Sequence, residues 1–310
     1  MKRLAALLSA LAVLAGCGFG EGGTTGDVTL TVTRDFGGEQ LGEGVQKGAK
    51  EGDTVMRLLQ RKYDVGTRYG GGFVQDIDGV AGGRENGRPV DWFYYVNGIE
   101  APVGAAQRRV EDGERVWWDR HPWDAAQRIP AVVGSFPEPF VSGLEGKRFP
   151  VRLVCAGESG RSCDEVQTRL EDAGVHAVSR AVLEQSPGKE VLRVIVGRWQ
   201  DVRRDGVARR LERGPAASGV FARPAPSGAE LMLLDTAGRP VQTLRAGAGL
   251  VAATSVEAQA PTWVVTGTDD VGVAAAAAAL TEDRLEDHFA VAVDTGEDVP
   301  LPITDDDEGP

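Results

Sequence analysis

Trp92-Phe93-Tyr94-Tyr95-Val96-Asn97-Gly98 is the stretch on which the fold turns. Side chains alternate across a strand, so Trp92, Tyr94 and Val96 share one face while Phe93 and Tyr95 share the other. The run ends in Asn97-Gly98, the dipeptide best suited to a type I′ hairpin because both central residues take positive φ. Neither face is polar, whereas an antiparallel sheet at a protein surface keeps one wet side. Both sides of this sheet must therefore be covered.

Working outward, Val28, Leu30 and Val32 alternate with Thr29, Thr31 and Thr33, which predicts a half-buried strand. After a Gly-rich turn, Asp53 and Thr54 are candidate N-caps of a helix reaching about Tyr63, with Val55, Leu58 and Leu59 inward. Asp112-Gly113 is a second hairpin signal and feeds the strand Glu114–Trp118, with Val116 and Trp118 on one face and Arg115 and Trp117 on the other. The helix covers one side of the sheet. The other side must meet a second domain, the connector, a ligand or a partner. Tyrosine and tryptophan combine apolar area with a polar handle. Phe93, Tyr95, Arg115, Trp117 and Trp118 are thus the candidate ligand-binding residues, with core packing as the competing reading. His121, beside Pro122, reads as a turn residue and not as a metal ligand.

These elements define a first domain over 28–120. Residues 121–149 form a Pro-rich connector whose Trp123, Phe136, Phe140 and Phe149 should pack onto a domain. From 150 to 300 strands and helices alternate: a strand at 151–154, a helix at 163–173 and strands at 175–183 and 191–196. A helix at 202–211, a short strand at 219–222 and a hairpin joining 230–235 to 241–245 follow. A strand at 263–266, a helix from Asp269 and a strand at 289–293 close the series. This rhythm predicts an α/β domain with a mixed sheet, so the chain as a whole is α+β, with a small strand-rich domain first. Residues 301–310 read as a solvated acidic tail.

Lys2 and Arg3 precede an uncharged run from Leu4 to Ala15, the pattern of a signal peptide over 1–16. Leu14-Ala15-Gly16-Cys17 resembles the lipobox of bacterial lipoproteins. That resemblance implies cleavage before Cys17, a lipid on its thiol, export, and anchoring to the outer face of the membrane; an ordinary secretory peptide with an incidental cysteine is the alternative. Gly- and Thr-rich residues 17–27 would serve as a flexible tether. Cys155 and Cys163 then remain, and outside the cytoplasm they are expected to pair as a disulfide, against readings as buried free thiols or a redox pair. A net charge of -12 repels phosphate backbones and argues against nucleic acid.

Catalytic patterns are missing. The sequence holds no G-x-S-x-G, H-E-x-x-H or C-x-x-C, and its histidines, His121, His176 and His288, sit in no readable triad. Gly267–Gly272 has P-loop spacing without the lysine, and Asp76-Ile77-Asp78-Gly79 places its glycine too early for a calcium loop. No catalytic or metal residue is assigned.

Four segments together carry a family likeness: Gly52-Asp53-Thr54-Val55 with Leu58-Leu59, Gly72–Gly79, Trp92–Gly98, and Val110–Trp118. In order and spacing they resemble the bacterial family related to the carboxy-terminal β-domain of transcobalamin and intrinsic factor, over about residues 28 to 119. The resemblance implies a β-grasp-like fold and ligand binding; in transcobalamin the equivalent domain closes over cobalamin. Transcobalamin's large helical domain has no counterpart here, so cobalamin enters by analogy alone. The expectation is a membrane-tethered extracytoplasmic, non-catalytic module binding a corrinoid, a carbohydrate or another small ligand. The alternative is a structural or assembly lipoprotein that contacts an envelope protein through the aromatic face. Lipidation is checked by fractionation: the chain should partition with membranes, Cys17→Ser should release it, and a variant that stays membrane-bound would refute the anchor.

Overall fold

The computed structural model describes residues 24–50, 52–183, 188–256 and 259–304. Cys17 and the signal peptide lie outside the described residues, as do residues 305–310 of the acidic run.

The first domain runs through β1 (Thr24–Arg34), β2 (Glu39–Lys50), α1 (Val55–Lys62), β3 (Val65–Arg68), β4 (Phe73–Ile77), β5 (Val80–Ala81) and β6 (Gly83–Glu85). It continues with β7 (Arg88–Val96), β8 (Ile99–Glu100) and β9 (Arg115–Pro122). Its main sheet has the order β2-β1-β9-β7-β6, with β8 paired to β7. Strand β1 pairs in parallel with β9 and antiparallel with β2. Thr54 caps α1 by accepting a hydrogen bond from Arg57 N at 3.3 Å, and Val55, Met56, Leu58 and Leu59 are buried, as the periodicity required. Asn97 (φ 52°) and Gly98 (φ 73°) make the turn from β7 to β8. The Asn97 side chain is buried with both ends used, its amide donating to Gly143 O at 2.7 Å and its oxygen accepting from Arg115 N at 2.8 Å.

Three expectations change here. The first strand begins at Thr24, inside the segment read as a tether. The Gly-rich turn is instead the twelve-residue strand β2, because its glycines admit side chains of the helix end: a Cβ on Gly42 would lie 2.4 Å from the Tyr63 hydroxyl. Asp112-Gly113 is no hairpin turn. Since β9 enters parallel to β1, that turn docks onto the start of β1, with Asp112 Oδ1 accepting from Asp27 N at 3.0 Å and Gly113 N donating to Asp27 O at 2.9 Å.

The second domain contains β10 (Val151–Cys155), α2 (Gly160–Asp172), β11 (Val178–Ala181), β12 (Leu192–Arg198), α3 (Trp199–Val202) and α4 (Pro215–Ser218). Then come β13 (Ala222–Pro224), β14 (Leu231–Leu234), β15 (Pro240–Leu244), β16 (Gly249–Thr254), β17 (Thr262–Gly267), α5 (Asp270–Ala278), α6 (Glu282–Leu285), β18 (Ala290–Asp294) and β19 (Glu297–Leu301). Its sheet order is β11-β10-β12-β17-β16-β18-β19, parallel from β11 to β17 and antiparallel beyond. The molecule is therefore α+β, and the second sheet is mixed. The helix expected at 202–211 is broken into α3 and a 3₁₀ turn at Ala208–Arg213, because Asp205 accepts from Val207 N and Ala208 N while its carboxylate holds the buried Arg193 guanidinium. The chain stays folded past 300: Leu301 and Ile303 are buried, and Ile303 N donates to Leu234 O at 3.0 Å.

Cys155, at the end of β10, and Cys163, in the first turns of α2, form a disulfide with Cα atoms 5.9 Å apart. The reading as two buried free thiols falls away. Closing so short a loop contributes about 2–3 kcal/mol by the chain-entropy relation. The Cys155→Ala/Cys163→Ala variant should lose that amount in urea unfolding, and an unchanged unfolding free energy would show that the bridge adds nothing.

Candidate functional site

The two faces of the β7–β9 pair meet different neighbours. Register places Tyr94 opposite Trp118, Tyr95 opposite Trp117 and Phe93 opposite Asp119. Trp92, Tyr94, Val116 and Trp118 pack with Val55, Leu58 and Leu59 of α1. On that face Trp92 Nε1 donates to Val80 O at 2.9 Å and Tyr94 Oη to Val103 O at 2.5 Å. On the opposite face Tyr95 and Trp117 join Phe36 of the first domain and Phe221 and Phe289 of the second in one cluster. The Phe289 ring lies near-perpendicular to those of Tyr95 (5.5 Å), Trp117 (5.1 Å), Phe36 (5.2 Å) and His121 (5.3 Å), the edge-to-face class of arrangement that aromatic pairs favour.

A buried polar chain backs this cluster. Trp117 Nε1 donates to Thr33 Oγ1 at 2.8 Å, and Thr33 Oγ1 donates to Asp119 Oδ2 at 2.5 Å. Asp119, fully buried, also accepts from Phe36 N at 3.2 Å, Gly37 N at 2.9 Å and His121 Nδ1 at 2.7 Å. His121 stacks between Phe36 and Phe93, each ring 4.6 Å away. It is a strand residue of the interface and not a turn residue.

This arrangement decides what the sequence left open. The second domain covers the bare side of the sheet, leaving Tyr95 at 1% exposure, Trp117 at 2% and Phe289 at 3%. Trp118 is equally buried on the α1 side, and half-buried Phe93 packs against the interface cluster. Arg115 bridges the domains, donating to Phe136 O at 3.2 Å and pairing with Glu282. Tyr95, Trp117 and Trp118 are thus buried, and the aromatic face expected to meet a ligand or a partner is covered by the second domain. Core packing is what they do.

The connector locks the same junction. Val132 N donates to Gly98 O of the first domain at 2.9 Å, and Val133 N donates to Phe289 O of the second at 3.2 Å. Gly134 then lies so close to the second domain that a Cβ would sit 2.7 Å from His288 N and 2.9 Å from Asp287 N.

Beside this junction opens a cleft of about 830 Å³ whose walls come from the first domain, the connector and the second domain. Ile99, Pro130 and Phe149 supply apolar wall. Glu100 reaches in from β8 and pairs with Arg128 of the connector at 3.1 Å; burial pushes its carboxyl above the usual range, opposed by that guanidinium. Arg210 enters from the second domain. Its guanidinium donates to Ala217 O, no carboxylate pairs with it, and its Nε is buried without a partner among the described residues. Among the described residues, no histidine or cysteine lines the cleft. Its serines are spent on the backbone, Ser218 Oγ donating to Gly214 O and Ser255 Oγ to Gln259 O. The lining can hold a ligand of mixed polarity. Sequence reasoning missed Glu100 and Arg210 because their spacing of more than a hundred residues carries no motif.

Set against known proteins, residues 52–121, from just before α1 through most of β9, match the family described as a domain of unknown function, DUF4430. No curated protein matches. Among solved structures, a candidate metal-binding protein of Ruminococcus gnavus ATCC 29149 is similar at 19% identity, over 31% of this chain and 97% of its own, with a TM-score of 0.25. Among the described residues of the present chain, no three His, Cys, Asp or Glu side chains converge where they could hold a metal ion.

Asp287, at the foot of the interface, has its carboxyl pushed up to about 6 by burial and by Glu286, Glu43 and Asp119. The folded chain therefore keeps a proton that the unfolded chain releases from about pH 3.8 upward. The stabilising contribution is complete below that value and is lost as pH rises through about 6. Asp287→Asn should flatten the pH dependence of urea unfolding across this window and gain about 1 kcal/mol at pH 7, a figure discounted for partial exposure. An unchanged pH profile would contradict this.

Proposed function

We propose that the chain is an exported, lipid-anchored binding protein that holds a small ligand in the cleft between its two domains. The cleft carries this reading: its volume lies within the roughly 300–1,000 Å³ of small-molecule sites, such sites favour domain interfaces, and its walls mix apolar surface with Glu100, Arg128 and Arg210. The lipobox ending in Cys17 supports export and anchoring. Among the described residues no helix is long and apolar enough to cross a membrane, so a lipid is the anchor the sequence itself offers. The first domain's likeness to the carboxy-terminal domain of transcobalamin makes a corrinoid the ligand to try first. In this proposal the aromatic sheet does not touch it; the sheet sets the position of Glu100, which follows Tyr95 through the Asn97-Gly98 turn.

Equilibrium dialysis of the Cys17→Ser protein against cobalamin tests the reading. Saturable binding is expected, and Ala216→Trp, which fills the cleft from an exposed wall position, should weaken it at least tenfold. No saturable uptake would remove the corrinoid, and uptake untouched by Ala216→Trp would remove the cleft.

A further inference from the structure

A second recess lies within the first domain, away from the interdomain cleft. The start of α1, the loop after β3 and the segment preceding Val110 enclose about 540 Å³. Among the described residues its lining includes Arg57, Arg109, Gln60, Gln107 and Thr54 and no acid, although the chain carries 46 aspartates and glutamates and a net charge of -12. Neither Arg57 nor Arg109 is paired with a carboxylate among the described residues. Asp53, the acid that follows Gly52 of the lining, is buried and engaged by Arg61 through two bonds of 2.7 Å.

The helix end itself is not the attraction. Val55 N donates to Arg108 O, Met56 N to Ala105 O and Arg57 N to Thr54 Oγ1, so the first amides of α1 are occupied. What faces the recess is a set of side-chain donors: two guanidiniums that suit a carboxylate or phosphate, and two primary amides that suit hydroxyls. The loop that contributes Gly70 and Gly71 also presents Tyr69, 86% exposed and held at φ 54°, in the left-handed region that an L-residue enters only at a cost of about 1–3 kcal/mol. Gly72 O lies 3.1 Å from where a Cβ on Gly104 would stand, which holds this loop close against the segment bearing Gln107 and Arg109.

We propose that this recess binds an acidic saccharide. Arg57 and Arg109 receive its carboxylate or phosphate, Gln60 and Gln107 its hydroxyls, and Tyr69 a sugar ring face. Cationic and amide donors meet here in a space large enough for a sugar unit or two, with the exposed Tyr69 next to the lining residue Gly70, and a free inorganic anion would use only the arginines.

Calorimetric titration of the full Cys17→Ser chain tests this, with trigalacturonate and a hexose phosphate as acidic saccharides, maltotriose as the neutral one and inorganic phosphate as the bare anion. Saturable binding of at least one acidic saccharide is expected, with maltotriose and inorganic phosphate at least tenfold weaker. The double variant Arg57→Gln/Arg109→Gln should weaken binding at least tenfold and Tyr69→Ala at least threefold, with unchanged circular dichroism. Ala216→Trp, in the other cleft, should leave it unaltered, so that failure of this site and of the interdomain site can be told apart. The assignment is overturned if neither acidic saccharide binds, if maltotriose or phosphate binds equally well, or if the arginine or tyrosine variants bind like the parent.

Discussion

A small sheet with two apolar faces cannot stand alone in water, and everything larger in this molecule follows from where its second face goes. Helix α1 shields Trp92, Tyr94 and Trp118. Phe221 and Phe289 shield Tyr95 and Trp117. Aromatic side chains bury about 150–250 Å² each, at roughly 25 cal/mol per Å² of apolar area, so each ring in this cluster contributes about 4–6 kcal/mol to holding the two domains together. The result is one continuous core shared by two sheets.

That sharing has consequences for dynamics and for the sites. A cleft between domains on a free linker would open and close, whereas here the connector is hydrogen-bonded to both sides and pinched at Gly134, so the cleft beside it has fixed walls. Glu100 and Arg210 are positioned by elements of different domains that the aromatic cluster holds in register. The buried Asp119 serves the same end: its carboxylate gathers Thr33, His121 and the amides of Phe36 and Gly37, fixing the turn from which Phe36 enters the interface.

Much of this was legible in the sequence, and the parts that were not share a physical cause. Alternation disclosed β1 and β7, the Asn97-Gly98 turn was unmistakable, and the Thr54 cap with Leu58 and Leu59 marked α1. The same parity argument showed that the second face needed a cover. It did not say which cover, because a residue buried at a domain interface and one buried by a ligand have the same composition. Strand β16, Gly-Leu-Val-Ala-Ala-Thr, escaped notice since a strand buried on both faces has no alternation to read. Strand β2 was hidden by glycines that exist to admit Tyr63 and Lys62. His121 looked like a turn residue because proline follows it, yet Pro122 ends β9 where no further ladder bond is needed. The sites were least legible of all: Glu100 and Arg210 converge only through tertiary structure, and the recess by Arg57 is visible only once Arg109 is brought beside α1.

If the aromatic cluster welds the two domains, they must unfold together. Calorimetry of the Cys17→Ser chain and its Phe289→Ala variant, with tryptophan fluorescence and far-ultraviolet circular dichroism followed in parallel, measures this directly. The structure requires one transition with equal calorimetric and van't Hoff enthalpies, and a Phe289→Ala loss of about 3–5 kcal/mol felt equally by all probes. Two separated transitions in the parent chain, or a Phe289→Ala effect confined to one of them, would contradict it.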